Sequence, residues 1–135
     1  MKNQFNVRIS KNFTLREFVI SKSASVNHIY NQFELDFSIV QNIRNLTTHI
    51  LQPLRDTAGV IHITSGYRCP ELNKLVGGSQ SSQHLNGSAV DFICNNSEII
   101  ADAINYLPFD QFIIYDSFFH VSFDQAKSRK EILVR

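Results

Sequence analysis

The sequence predicts an α+β domain in which helices flank a small, mostly antiparallel sheet. One long segment carries apolar residues at helical spacing, whereas several shorter segments alternate apolar and polar residues as strands do. Strands and helices follow one another irregularly rather than in strict alternation, which favours an antiparallel sheet. The 135 residues, 43% of them hydrophobic and 19% charged, suit a single globular domain over residues 1–135.

Two helices are predicted in the first half of the chain. Thr14 and Glu17 have the Thr-x-x-Glu spacing of a capping box, so a short helix should begin there. A longer core helix follows, in which Pro53 should cause a kink or a restart before Gly59 ends the helix. The apolar face of this helix consists of Ile39, Ile43, Leu46, Ile50 and Leu54.

The second half of the chain contains the predicted strands. A short helix is expected from Glu71 to Val76, and Ser97 should cap another helix that extends to Leu107. The polar stretch from Ser21 to Gln32 predicts a surface excursion that could border a cleft. The predicted strands are Val60–Thr64, Ala89–Cys94, Gln111–Tyr115 and Phe119–Phe123.

Composition and charge exclude several classes of protein. The formal net charge is +1 and no basic block occurs, so a nucleic-acid partner is not expected. No apolar run has membrane-spanning length, and the first residues lack a signal peptide, so synthesis in the cytoplasm and no membrane partner are expected. A monomer is the default expectation. Cys69 and Cys94 are expected to be reduced, although a bridge in an oxidising medium stays open.

The segments around residues 84–91 and 118–123 carry the candidate metal ligands. Six residues, with Gly87 among them as a turn or an ordinary loop glycine, lie between His84 and Asp91. Asp91 and His120 are polar positions in apolar strands, where an unpaired carboxylate costs several kcal/mol unless a cation meets it. If the two strands are neighbours, the three side chains converge on one ion. Two nitrogens and one oxygen suit one Zn²⁺ ion with an open position for water, which is the catalytic pattern.

Each of these residues also has a plain structural interpretation. A single histidine in a strand is more often a hydrogen-bonded core residue, and Asp91 could receive backbone donors. The alternative without metal requires independent structural reasons for His84, Asp91 and His120. The other histidines are expected to be surface or core residues.

Three ordered segments resemble the signature of the zinc D-alanyl-D-alanine carboxypeptidases, whose domain is shared with the hedgehog signalling domain. The segments are Ser65-Gly66-Tyr67-Arg68, Ser82-x-His84-x-x-Gly87-x-Ala89-x-Asp91 and His120-Val121-Ser122, with weaker matches at residues 12–18, 51–55 and 109–111. The resemblance implies the hedgehog/DD-peptidase fold and zinc ligands His84, Asp91 and His120.

The resemblance also implies roles for residues beside the metal. Arg68 would hold the substrate and polarise the carbonyl of the cleaved bond, the alternative being a surface ion pair. Ser82, Ser122 and Tyr67 would contact substrate or support the ligands, although the two serines could equally be ordinary strand-edge hydroxyls.

The general base departs from the pattern of the family. Relatives carry a Glu or Asp shortly before the last histidine, in several of them a Glu three residues before it, where this chain has Ser117. Asp116 is the catalytic candidate and Asp110 a more distant one. The alternative for Asp116 is a solvated turn residue.

The resemblance implies a zinc-dependent peptidase that hydrolyses short peptide bonds of bacterial peptidoglycan, as a carboxypeptidase or an endopeptidase. Its partners would be stem peptides or short D-amino-acid peptides. A phage enzyme released on lysis or carried in the virion would reconcile this substrate with the missing signal peptide. The alternative is a zinc-stabilised cell-wall-binding or virion structural module with little or no turnover.

Overall fold

The computed structural model of the protein describes residues 6–135, apart from the side chains of residues 33 and 34. Residues 1–5 lie outside the described residues. The predicted single domain of residues 1–135 and the predicted lack of a signal peptide both include these five residues. The predicted α+β class is confirmed, because helices pack around a five-stranded mixed sheet and a separate two-stranded sheet. Within the described part of the chain, no helix is long and apolar enough to cross a membrane.

The N-terminal part combines a small hairpin with two short helices. Strands β1 (Arg8–Ser10) and β2 (Phe13–Thr14) pair in antiparallel fashion, and α1 spans Leu15–Val19. The backbone N–H of Thr14 donates to Oε2 of Glu17 at 2.8 Å, as the predicted capping box requires. The polar stretch that follows contains α2 (Lys22–Val26) and, next to it, a 3-10 turn at Asn31–Glu34. This stretch lines a depression of its own rather than the cleft that contains His84, Asp91 and His120.

The long core helix is interrupted by a π turn. Helix α3 spans Phe37–Leu46, the π turn Thr47–Leu51, and α4 Gln52–Ala58. The backbone N–H of Gln52 donates to the carbonyl of Thr47, five residues back, directly before Pro53. Proline has no N–H and its ring displaces the preceding turn, so a widened turn at this point is expected. The predicted restart is thus confirmed, and Gly59 ends the helix with φ +92°.

The main sheet has the strand order β3-β4-β6-β5-β7. All its pairings are antiparallel except that of β5 with β7, so the sheet is mostly antiparallel as predicted. Strand β7 is absent from the predicted strands, because most of its residues are exposed and show no apolar alternation. The strands are β3 (Ile61–Ser65), β4 (Ala89–Cys94), β5 (Gln111–Ile114), β6 (Phe119–Ser122) and β7 (Glu131–Val134).

Two further helices connect the strands. Helix α5 spans Pro70–Leu75, and α6 spans Ser97–Ala103 before a 3-10 turn at Ile104–Tyr106. Ser97 was the predicted cap, but the cap position belongs to Asn96, and the prediction was wrong by one residue. Asn96 favours this place because its Nδ2 donates to the carbonyl of Ala58 at 2.7 Å.

The two faces of the sheet differ in what they pack against. Val90, Phe92 and Val121 belong to the hydrophobic core, together with Ile43 and Leu46 of the long helix. Side chains alternate between the faces of a strand, so Asp91 and His120 lie on the opposite face. Cys69 is buried, Cys94 is half-buried and both are free thiols. The core therefore supports the sheet from one side and leaves the other side for a site.

Candidate metal centre

Asp91 and His120 are brought together by the pairing of β4 with β6. The two residues are direct partners in the antiparallel register, and Nδ1 of His120 lies 2.9 Å from Oδ1 of Asp91. Directly opposed residues of antiparallel strands have Cβ atoms about 5 Å apart on the same face. The alternation of apolar and polar residues in these two strands therefore predicts this half of the site.

His84 reaches the same carboxylate from a tight turn. The 3-10 turn Gln83–Asn86 begins where Oγ of Ser82 accepts the backbone N–H of His84 at 3.2 Å. Gly87 ends the turn with φ +80°, and a Cβ atom there would lie 2.8 Å from the carbonyl oxygen of Ile39. Only glycine fits this backbone conformation and this close approach without strain. The sequence alone left the role of Gly87 open, and the structure assigns it to the turn.

The imidazole of His84 is buried and its orientation is set by a backbone carbonyl. Its side chain is 4% exposed, and Nδ1 lies 2.7 Å from the carbonyl oxygen of Gly66. A carbonyl oxygen only accepts hydrogen bonds, so Nδ1 carries the proton and Nε2 keeps a free lone pair. Nε2 in turn lies 3.4 Å from Oδ1 of Asp91. Such a partner on the far nitrogen is what orients histidines that bind metals.

The three side chains fit a metal ion by their donor atoms. One donor atom each from His84, Asp91 and His120 lies within 4.8 Å of the other two. Two imidazole nitrogens and one carboxylate oxygen are the ligand types that zinc takes in sites with an open position. Burial alone would raise the pKa of Asp91, but the hydrogen bond from His120 and the proximity of the His84 ring outweigh it and lower the pKa below its ordinary value. The carboxylate is thus kept charged and ready for a cation.

Arg68 lies beside the metal ligands and is held from three sides. Its Nη2 lies 3.5 Å from Oδ2 of Asp91, Nε donates to Oγ of Ser65 at 3.2 Å, and Nη1 donates to Oδ1 of Asn73 at 3.3 Å. Burial lowers the pKa of Arg68, and the charge of Asp91 opposes this shift. A Cβ atom at Gly78 would collide with Oδ1 of Asn73 and approach Arg68. Asn73 and Gly78 therefore position Arg68, and no sequence signal indicated them.

The ligands open into a cleft of about 760 Å³. The cleft is also lined by residues of the loop 76–83, by Gln111, Ile113 and Tyr115 of the β5 region, and by residues between 124 and 135. Arg68, His84, Asp91 and His120 all line this cleft. A concave site of this size is typical of pockets that bind small ligands or short peptides.

Asp110 lines the cleft, but its carboxylate is already engaged. The residue is 0% exposed, Oδ1 accepts Nε of Arg129 at 2.8 Å, and Oδ2 accepts Nε2 of Gln83 at 3.0 Å. The hydrogen bond from Arg129 lowers the pKa of Asp110 despite burial. A carboxylate with both oxygens committed is a weak proton acceptor, so the structure favours a supporting role for Asp110 over that of a base. Through Gln83, it supports the turn that carries His84.

Asp116 lies at the tip of the hairpin between β5 and β6. The backbone N–H of Tyr115 donates to the carbonyl of Phe118 at 3.0 Å, which closes a turn with Asp116 and Ser117 at its centre. Asp116 is exposed and lines a different depression, together with Ile93 and Cys94. Its neighbours Tyr115 and Phe118 do line the cleft. Asp116 is therefore placed at the rim, and its catalytic role stays a prediction.

Tyr67 and Ser122 lie away from the cleft. Tyr67 is 3% exposed and belongs to the hydrophobic core, where it follows the glycine whose carbonyl binds His84. Ser122 is fully buried, and its Oγ accepts the backbone N–H of Gln111 at 3.1 Å. Through this hydrogen bond, Ser122 secures the pairing of β5 with β6, and the bond does not involve His120. Both residues are thus buried in the elements that carry the site and stabilise those elements.

Comparison with known proteins agrees with this arrangement. The family model described as peptidase M15 matches residues 11–122, which include every residue that supplies a candidate metal ligand. No curated protein sequence matches the chain at a significant level.

Proposed function

The chain belongs to the peptidase M15 family, and on this premise we propose that it is a zinc-dependent peptidase that hydrolyses short peptide bonds of bacterial peptidoglycan. The observation that carries the proposal is the convergence of Nε2 of His84 and Nδ1 of His120 on one oxygen of Asp91, at 3.4 and 2.9 Å. These donors line an open cleft, so an ion held by them would be accessible to water and substrate.

The residues of the site have different roles in the proposed reaction. Zinc, when bound, supplies a Lewis acid that activates water and polarises a carbonyl group. His84, Asp91 and His120 hold the ion, and the carbonyl of Gly66 fixes the tautomer of His84. Arg68 presents a permanently charged guanidinium beside the ligands, suited to the carbonyl oxygen or a carboxylate of the substrate.

Proton transfer from water to the leaving amine requires a further side chain that accepts the proton and then donates it. Among the described residues, the carboxylates that line the cleft belong to Asp91, Asp110 and Asp124, and the first two are committed to other partners. We propose Asp116 as the proton shuttle, because it lies at the rim between two residues that line the cleft.

A second function is favoured by the same position of Asp116. A chain that keeps the zinc ligands while Asp116 lines another depression would bind the cell wall with little turnover. In this alternative zinc stabilises the domain, and stem peptides are ligands rather than substrates.

Metal content and hydrolysis together test the proposal. We expect about one equivalent of zinc in the wild type and in His62→Ala, an exposed histidine outside the site, but not in His120→Ala. Release of amines from purified peptidoglycan should occur in the wild type and in Asp102→Asn, and should fall by roughly 10²-fold or more in Asp116→Asn. Zinc without hydrolysis would favour the binding module. Absence of zinc after reconstitution would refute both functions.

A further inference from the structure

The segment after the family match contributes residues to the cleft. The match ends at residue 122, whereas Asp124, Lys127, Arg129 and Arg135 all line the cleft. All but the first of these are cationic. The chain thus adds positive charge to the site from a part that the family model does not cover.

Strand β7 places Arg135 on the same face as the metal ligands. Ile113 of β5 is paired with His120 on one side and with Leu133 of β7 on the other, and paired residues share a face. Arg135 lies two residues beyond Leu133, so the period of two returns its side chain to that face. The backbone N–H of Arg135 donates to the carbonyl of Ile114 at 2.9 Å, which fixes this position. Because neighbouring strands lie about 4.8 Å apart, β7 runs roughly 10 Å from the strand of His120.

The cations of this segment differ in whether they are already paired. Arg129 is neutralised by the buried carboxylate of Asp110, with Nε 2.8 Å from Oδ1 and Nη2 3.1 Å from Oδ2. Among the described side chains, by contrast, neither Lys127 nor Arg135 takes part in an ion pair. Arg129 therefore anchors the segment, and the two exposed cations remain available to a ligand.

The acids of the cleft do not balance these charges. Asp91 is committed to the histidines and Arg68, and Asp110 to Arg129. Asp124 is the remaining carboxylate, and its Oδ1 accepts the backbone N–H of Ala126 at 2.8 Å. Among the described residues that line the cleft, four side chains are cationic and three carry a carboxylate. A bound metal ion would add further positive charge. Such a surface attracts anionic ligands.

We propose that Lys127 and Arg135 bind free carboxylates of the peptide at a distance from the cleaved bond, so that acidic oligopeptides are preferred over their carboxamides. This inference rests on the proposed peptidase function. Lys127 precedes β7 and Arg135 follows it, and the strand from Glu131 to Arg135 extends roughly 13 Å at 3.3 Å per residue. That length equals about four residues of extended peptide. Cations placed before and after this strand suit a chain of several residues with more than one carboxylate, rather than a dipeptide.

The test compares two stem tetrapeptides with the zinc-loaded protein. In one, the D-glutamate residue and a second residue away from the cleaved bond both carry free carboxylates, and in the other both groups are carboxamides. We expect the acid to have a higher kcat/KM, by about tenfold, and the ratio of acid to amide to fall about two- to fivefold in each of Lys127→Gln and Arg135→Gln. The ratio should approach one in the double variant and should diminish at high salt. Lys22→Gln removes the same charge from an exposed position in α2, outside the cleft, and should keep the wild-type ratio.

Calorimetric binding of the same peptides separates this inference from the proposed function. Equal hydrolysis of acid and amide, or a ratio that survives in the double variant, would overturn the role of the two cations while the peptidase stands. Preferential binding of the acid without hydrolysis, lost in the double variant, would support the cations and refute the peptidase. A protein that neither cleaves nor binds either peptide would overturn both.

Discussion

Asp91 accepts Nδ1 of His120 at Oδ1, where Nε2 of His84 also approaches, and faces Arg68 with Oδ2, so a single carboxylate connects β4, β6 and the turn that carries His84. Oδ1 lies 2.9 Å from Nδ1 of His120, and Oδ2 lies 3.5 Å from Nη2 of Arg68. Three side chains, those of His84, His120 and Arg68, thus depend on one carboxylate, and its removal should affect metal binding and stability together.

Asp91→Asn should abolish stabilisation of the fold by zinc. An ion that binds only the folded state stabilises it by about 2.7 kcal/mol when its concentration is a hundred times the dissociation constant. An amide is a poor ligand for zinc, so the midpoint of thermal unfolding should rise with added zinc in the wild type and stay constant in the variant. Asp102→Asn, on the exposed surface of α6, is the matched control. An equal rise in Asp91→Asn would remove this carboxylate from the ligand set.

Ser82→Ala should loosen the turn that carries His84. The variant loses the hydroxyl that accepts the backbone N–H of His84 at 3.2 Å, and loss of such a cap costs about 1 kcal/mol. Zinc affinity should fall with it, by roughly 10-fold, because the ligand is less well oriented. Urea unfolding and zinc titration measure the two effects. Ser81→Ala, at an exposed neighbouring position, should leave the zinc affinity unaltered, and an equal loss in both variants would contradict the role of Ser82.

Gly87→Ala should destabilise the fold by more than Gly77→Ala. Both glycines have positive φ, +80° and +75°, so alanine strains the backbone at either position. An added Cβ atom at Gly87 would lie 2.8 Å from the carbonyl of Ile39, whereas at Gly77 nothing lies within 4 Å. We expect about 1 kcal/mol of destabilisation at Gly77 and roughly 2–4 kcal/mol at Gly87. Chemical denaturation gives both values, and equal losses would show that the turn moves away from α3 without cost.

Arg129→Gln should destabilise the protein at neutral pH by about 1–3 kcal/mol, because it leaves the buried carboxylate of Asp110 without its charged partner. The hydrogen bond from Arg129 lowers the pKa of Asp110 below its ordinary value of 3.8. A lowered folded-state pKa contributes stability that is present above the unfolded pKa and is lost as pH falls through the folded pKa.

The difference in unfolding free energy between the wild type and Arg129→Gln should therefore shrink below about pH 3.8. Asp91 titrates in both proteins, so its contribution cancels in the difference. Urea denaturation at several pH values measures the effect. A difference that is constant with pH would show that Arg129 stabilises the segment by packing alone.

Much of the site was predictable because its residues lie in segments with strong local patterns. The alternation in β4 and β6 placed Asp91 and His120 on one face, and the structure confirms that they are partners. The register between β4 and β6 depends on long-range contacts. Each strand has one apolar face, however, and a shift by one residue would turn that face away from the core.

The remainder depended on contacts that no local pattern reports. Asp110 and Arg129 are nineteen residues apart, and neither residue type indicates the other. Strand β7 forms because β5 offers it a backbone edge, although its own side chains are mostly exposed. At the start of α6, two adjacent residues could both cap the helix, and the contact of Asn96 with Ala58 decided between them.

The parallel pairing of β7 with β5 also bears on how copies of this chain behave towards each other. Without β7, the backbone donors and acceptors of β5 from Gln111 to Ile114 would form an open edge. Open edges of this kind recruit strands from other molecules and lead to aggregation. β7 covers that edge and presents an outer strand that begins with Glu131 directly after Lys130, and charges of this kind discourage further pairing. Strand β7 therefore prevents intermolecular pairing of β5, and Arg135 directly after it lines the cleft.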